Sequence, residues 1–162
     1  MTLSLRLPDA QATQALGTRL AASLSGPAVV YLHGDLGAGK SALARAMLTA
    51  LGAPAPIRSP TYTLLERHAL DRGEAAHLDL YRIAQADELE FLGLQDLLPD
   101  LRLVLVEWPE RGASALPAAD LVVRLAVEGA GRGVLLEAGS PLGRAWLEAL
   151  AVSPGDPFNE TS

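Results

Sequence analysis

The chain has 162 residues, a length that suits one domain, and its 49% hydrophobic and 20% charged residues are enough for a real core with an ordinary surface. A formal net charge of -6 argues against a broad basic face for nucleic acid, and the absence of cysteine excludes disulfides, thiolate nucleophiles and Cys-based metal centres. Aromatic residues make up only 4%, so the core is expected to be aliphatic.

Leu3, Leu5 and Leu7 alternate with Ser4 and Arg6, the period of a strand with one buried face. Pro8-Asp9 then opens a helix. Asp9 suits its N-cap, and Ala12, Leu16, Leu20 and Leu24 share a face before Gly26-Pro27 stops it. Ala28 to Leu32 is a short apolar run that reads as a strand buried on both faces, as in a parallel sheet. A glycine-rich run follows at once, then a helix rich in Ala and Leu from about Lys40 to Leu51, closed by Gly52 and Pro54.

Tyr62 to Leu70 and Ala75 to Ile83 flank Asp71-Arg72-Gly73-Glu74, the pattern of a β-hairpin. Ala86 to Leu98 reads as an acidic amphipathic helix, or as two short ones broken near Gly93. Leu103 to Val106 is a second all-apolar strand and ends at Glu107. Leu121 to Val127 and Val134 to Ala138 are further strands joined by the Gly-rich turn 129–133. Ser140-Pro141 starts a last helix with Leu142, Trp146 and Leu150 on one side. Residues 153–162 carry Pro, Gly, Asp and Asn and are expected to form a loose tail, leaving one domain over residues 1–152. No apolar segment reaches the roughly 18 residues of a membrane helix, and no signal-peptide pattern opens the chain, so the expectation is a soluble cytoplasmic protein.

The chemistry concentrates in Gly34-Asp35-Leu36-Gly37-Ala38-Gly39-Lys40-Ser41, which fits G-x-x-x-x-G-K-[ST] at every fixed position. Its glycines let successive N–H groups point inward as an anion nest, and the following helix aims its positive end at the same place. Lys40 supplies a mobile charge for the β- and γ-phosphates, and the Ser41 hydroxyl is a ligand for Mg²⁺. The expected nucleotide-binding set is Asp35, Leu36, Gly37, Ala38, Gly39, Lys40, Ser41 and Ala42, with ATP and Mg²⁺ as cofactors. The fold class this implies is an α/β, P-loop NTPase-like three-layer α/β/α domain with a mostly parallel central sheet and a β-hairpin insertion.

A magnesium site needs a second anchor from a strand end, and two carboxylates compete for it. Glu107 ends the better strand, as a Walker-B carboxylate should; Asp79 follows Ala75-Ala76-His77-Leu78 in the hairpin. Either suits the metal directly or through water, because magnesium keeps several of its waters. Ser59-Pro60-Thr61-Tyr62-Thr63 is either a γ-phosphate-sensing loop or an ordinary capped turn. Trp108 packs either near the nucleotide or in the core. His33 reads as structural, and Glu110 and Arg111 as a solvated pair or a partner contact.

Four runs in this order resemble the TsaE (formerly YjeE) family, the bacterial ATPases of tRNA threonylcarbamoyladenosine biosynthesis. They are the glycine-rich run, Ser59-Pro60-Thr61-Tyr62-Thr63-Leu64, His77-Leu78-Asp79-Leu80-Tyr81-Arg82 and Val106-Glu107-Trp108-Pro109-Glu110-Arg111, and the likeness extends to about Leu125. The resemblance implies a partnership with TsaB and TsaD, contact with tRNA only through that complex, and ATP hydrolysis that resets the machinery. It also implies functional roles for Lys40, Ser41, Asp79, Glu107 and Trp108. The family usually has Thr where this chain has Ser41, which keeps the hydroxyl. The mechanism expected is hydrolysis with Lys40, Asp79 and Glu107 as catalytic groups, Ser41 and Glu107 organising the metal, and Thr61 and Trp108 at the nucleotide. An ATP-gated adaptor without essential turnover and a small-molecule kinase are the alternatives.

Overall fold

The apolar runs of residues 28–32 and 103–106 become neighbouring strands within one sheet, and the alternating run of residues 2–7 becomes one of its edges. The computed structural model describes residues 1–60 and 63–152. In chain order its elements are β1 (Thr2–Leu7), α1 (Ala10–Ala22), β2 (Ala28–His33), α2 (Lys40–Ala50), β3 (Leu65–Ala69), β4 (Glu74–Asp79), α3 (Glu88–Phe91), α4 (Leu94–Leu97), β5 (Leu101–Glu107), β6 (Leu121–Glu128), β7 (Gly131–Ala138) and α5 (Pro141–Ala151). Expectations for Thr61, Tyr62 and the tail 153–162 lie outside the described residues.

The strands form one seven-stranded sheet among the described residues, ordered β1-β7-β6-β2-β5-β4-β3. Four consecutive strands, β6, β2, β5 and β4, run parallel, and β1 points the same way, so only β3 and β7 are reversed. The β3–β4 hairpin expected from residues 62–83 is present. It does not stand off as a separate insertion, because β4 pairs in parallel with β5 and makes the hairpin one end of the sheet.

The two outer layers are unequal. On one face α1, α2 and α5 bury Leu16, Leu20, Leu43, Met47, Trp146 and Leu147 against Val30, Leu32, Leu103 and Leu105. The other face carries only the four-residue α3 and α4 and short loops, which cover Leu78, Leu80, Val104 and Val106. Gly93, in a left-handed conformation at φ 70°, separates α3 from α4, so the acidic stretch is two short helices. The thin layer corrects one expectation. β2 is buried through Ala28, Val30 and Leu32, but Val29 and Tyr31 on its other face are half-buried. No helix among the described residues is long and apolar enough to cross a membrane.

Local polar contacts set the helix ends. Asp9 Oδ1 accepts the Ala12 N–H at 2.9 Å and starts α1. α1 ends at Ser23, earlier than Gly26-Pro27, where the Ser23 hydroxyl donates to Arg19 O at 2.8 Å. Ser140 caps α5, and its hydroxyl donates to Asp120 Oδ1 at 2.7 Å while Asp120 Oδ2 accepts the Val29 N–H at 2.8 Å. One carboxylate therefore ties α5 to the start of β2. Trp146 Nε1–H donates to Leu20 O at 3.0 Å and locks α5 onto α1.

α1 lies directly on α2, the helix that follows the glycine-rich loop. A Cβ built at Gly17 would sit 2.4 Å from Ala46 Cβ and 3.1 Å from the α2 backbone. Helix propensity alone favours Gly17→Ala by roughly 0.5–1 kcal/mol. Overpacking opposes it by about 1–3 kcal/mol, and the α2 backbone has nowhere to retreat, so the clash should win. Gly17→Ala is expected to lower the urea midpoint; a raised midpoint would show that the two helices separate at no cost.

Candidate functional site

β2, β5 and β4 end at the same edge of the sheet, and each delivers one part of a cleft there. Ligands of open parallel sheets bind outside the carboxyl ends of the strands. β2 leads through residues 34–39 into α2, β5 ends at Glu107 and β4 ends at Asp79. The register places Glu107 between Leu32 and Asp79.

The loop conformation depends on glycine. At Gly34 φ is 153° and a Cβ would meet Leu125 O at 2.6 Å; Gly39 caps α2 at φ 106°. The first amides of α2 lack intrahelical acceptors, and the helix dipole adds positive potential there. Arg132, at the start of β7, donates Nε–H to Ala38 O at 3.1 Å and an Nη2 hydrogen to Gly37 O at 3.2 Å. It takes up two loop carbonyls, while the Ala38 N–H turns back to Asp35 O at 3.1 Å. The arrangement suits an anion.

Lys40 is buried at 5% exposure. Its ammonium donates to Gly34 O and to Asp35 O, the latter at 2.9 Å, and lies 4.5 Å from the centre of the Trp108 ring. Burial pushes its pKa down from the usual lysine value, while Glu107, Asp79 and Asp35 push it back up. An anion entering the cleft would add to that compensation.

Glu107 is a buried carboxylate, 3% exposed, with two protein donors. Ser41 Oγ–H points at its carboxylate, 2.9 Å from Oε1 and 3.1 Å from Oε2. His77 Nε2 lies 2.7 Å from Oε2, and His77 is fully buried. An ionised Glu107 requires the hydrogen on Nε2; the other ring nitrogen, Nδ1, has no partner among the described residues. Asp79 is less enclosed. Its Oδ1 accepts the Tyr81 N–H at 3.1 Å. Burial pushes its pKa up and the Glu107 charge adds to this, against the Tyr81 hydrogen bond and the nearby His77 and Lys40.

Trp108 follows Glu107 in a left-handed conformation at φ 56°, unusual for a bulky residue and a strain of about 1–3 kcal/mol. This turn lays its ring on Lys40 and brings it 5.0 Å from the Tyr81 ring, over which the Arg111 guanidinium sits at 5.5 Å. Glu110 does not pair with Arg111: its carboxylate meets His33 Nδ1 at 3.2 Å and ties the end of β2 to the turn after β5.

The cleft has a volume of about 280 Å³ and is lined by Leu36, Gly37, Gly39, Lys40, Ser41, Ala42, Asp79, Glu107 and Trp108. Nearly the whole expected set therefore converges. Asp35 contributes its carbonyl to Lys40, and Ala38 is buried against Gly34, so its part is played by backbone. Thr61 lies outside the described residues. A larger cavity of about 610 Å³ between α1, α2 and the start of β7 shares Gly39, Ala42 and Arg45 with the cleft.

Three residues at the site had no role from sequence: His77, Arg45 and Arg132. His77 carried a signal, a polar residue two positions before Asp79 and so on the same strand face. Arg45 stands four residues after Ser41, one helical turn on, and bonds Ser59 Oγ at 3.2 Å. Arg132 is 92 positions from Lys40 in the chain, and nothing local marks it. Among the described residues no group of three or more His, Cys, Asp or Glu side chains is placed to hold a metal. The oxygen donors of Ser41, Glu107 and Asp79 are hard ligands of the kind that holds Mg²⁺ through one or two protein groups plus substrate phosphates.

Comparison with known proteins agrees with this architecture. The family model described as "Threonylcarbamoyl adenosine biosynthesis protein TsaE" matches residues 7–134. A Haemophilus influenzae protein named tRNA threonylcarbamoyladenosine biosynthesis protein TsaE is 41% identical over 123 residues, 76% of this chain and 78% of the relative. A Mycobacterium bovis protein of the same name is 42% identical over 127 residues, 74% and 76% of the two chains. The crystal structure of Bacillus subtilis YdiB superposes with a TM-score of 0.75 at 25% identity, over 93% of this chain and 94% of that one. The chain thus belongs to the TsaE family, whose members take part in tRNA threonylcarbamoyladenosine biosynthesis.

Proposed function

We propose that this chain is a P-loop ATPase that acts with TsaB and TsaD in threonylcarbamoyl modification of tRNA, hydrolysing ATP to ADP and phosphate to reset the complex in the cytoplasm. The observation that carries the reading is the Ser41–Glu107 hydrogen bond at the mouth of the glycine-rich loop, beside the buried Lys40. The triphosphate fits the smaller cleft against the loop amides, and the nucleoside fits the adjoining cavity, whose polar lining includes Thr13 and Gln14.

In this reading Lys40 exchanges carbonyl partners for phosphate oxygens. Ser41 gives its hydrogen to Glu107, so its lone pairs face the cleft as a ligand for Mg²⁺, which when bound neutralises phosphate charge. Glu107 is occupied by two protein donors and acts on the metal shell through Ser41 and water. Asp79 lines the cleft, accepts the Tyr81 N–H on Oδ1, and is the group placed to orient an attacking water. tRNA is met through the complex, since the chain's net charge of -6 gives no broad basic face.

One observation favours a second reading, an ATP-gated adaptor. Lys40, Trp108, Tyr81 and Arg111 form a contact chain from the phosphate site to the surface, where Tyr81 is 37% exposed. A partner bound there would sense where Lys40 points. An Asp79→Asn protein that still supports full tRNA modification without hydrolysis would favour this reading.

The direct test is calorimetric binding of ATP with Mg²⁺, together with ADP production alone and with TsaB–TsaD. Lys40→Ala removes a charge-assisted contact of about 1.5–3 kcal/mol, so ATP should bind about 10–100-fold more weakly. Wild-type turnover should be slow alone and rise with the partners. Unchanged ATP affinity in the variant would place the nucleotide elsewhere.

Asp79→Asn should separate binding from turnover: ATP affinity is kept, and hydrolysis falls by about 10²–10⁴-fold. It should also raise the Tm of the nucleotide-free protein at neutral pH. A carboxyl whose folded pKa is raised favours the fold at low pH and penalises it as pH rises through that folded value. The gain should therefore vanish below the ordinary Asp value of 3.8. A gain that grows as pH falls would contradict the sign.

A further inference from the structure

We propose that His77 is the positioning residue of the metal site: its Nε2–H fixes one oxygen of Glu107, and Glu107 in turn fixes the Ser41 hydroxyl. The proposal rests on the functional reading above and adds a residue to it. Ser41 has one hydrogen, shared between Oε1 at 2.9 Å and Oε2 at 3.1 Å. Alone it would leave the carboxylate free to turn about its last bond. The fully buried His77 removes that freedom by holding Oε2 at 2.7 Å.

The ring is well placed for this work. It is fully buried on β4, one strand over from β5, and paired in register with Leu105, two residues before Glu107. It shares its strand face with Asp79, so one two-residue repeat supplies both the brace and the half-buried carboxylate. His68 is a useful contrast. It is also buried on the hairpin, but its Nε2 has no hydrogen-bond partner among the described residues. A merely space-filling histidine on this hairpin looks like His68.

The consequence concerns how Glu107 can use its oxygens. With Oε2 held by His77 and Oε1 by Ser41, the carboxylate is fixed in orientation and each oxygen has already committed one of its acceptor positions. Glu107 then orients Ser41 and a metal-bound water, and His77 acts at one further remove. Partners of this kind alter metal affinity by about 10–100-fold when removed.

The test is ATP binding by calorimetry across a Mg²⁺ series, with an EDTA reference. His77→Leu should bind ATP in EDTA as the wild type does, but need about 10–100-fold more Mg²⁺ for half of the metal-dependent gain. His77→Gln, whose side-chain amide carries an N–H at nearly the same reach, should restore most of the wild-type response. A Mg²⁺ requirement in His77→Leu equal to wild type overturns the proposal and leaves the ATPase reading intact. Wild-type protein that fails to bind ATP with Mg²⁺ overturns both. If His77→Leu does not fold, His77→Met replaces it as the donor-free variant; equal Mg²⁺ dependence of the Gln and Met proteins overturns the proposal.

Discussion

A buried carboxylate is the constraint around which this molecule is organised. Glu107 sits at 3% exposure at the end of β5, beside the central strand β2. Burying an ion costs several kcal/mol even after relaxation, unless donors and charges compensate it. Here the compensation comes from three side chains on two elements: Ser41 and the nearby charge of Lys40 from α2, and His77 from β4. Those elements must therefore arrive together, and the parallel order β2-β5-β4 is what brings them together. The price of one charge in the interior is a fixed geometry at the mouth of the loop.

The rest of the fold supports that geometry from two sides. α1 braces α2 through the close approach at Gly17, and α5 in turn holds α1 through the Trp146–Leu20 hydrogen bond. Arg132 reaches from β7 to the loop carbonyls and holds residues 37 and 38. The other face of the sheet is different. Its helices are four residues long, and its aromatic pair Tyr81–Trp108 ends at the surface. The thicker side anchors the glycine-rich loop, and in the proposed reading the thin side carries the groups that would report its state to a partner. The strained backbone at Trp108 belongs to this thin side, as backbone outliers often do at functional sites.

Most of the fold was legible in the sequence because its signals are local. The caps at Asp9 and Ser140, the break at Gly93 and the turn between β3 and β4 each involve residues a few positions apart. The glycine-rich run was equally legible, since its backbone demands are written in three glycines. What escaped was non-local. Nothing in the sequence says that β4 pairs with β5, and without that pairing His77 is a lone histidine in an apolar strand. Arg132 reaches the loop only because β7 lies against β6 and β1. The half-buried face of β2 follows from the thinness of the α3–α4 layer, and strand composition carries no information about what lies above it. Glu110 was weighed with its neighbour Arg111, but the turn sends it to His33. The resemblance filled part of this gap: it brought Asp79 and Glu107 to one site before any pairing was known.

A structure of the protein with a non-hydrolysable ATP analogue and Mg²⁺ would test the central claim most directly. The account predicts phosphates on the amides of residues 37–41, Ser41 Oγ bound to the metal, and Glu107 still bridging Ser41 and His77 while touching the metal only through water. Phosphates bound away from the loop, or Glu107 swung off His77 to chelate the metal with both oxygens, would contradict it.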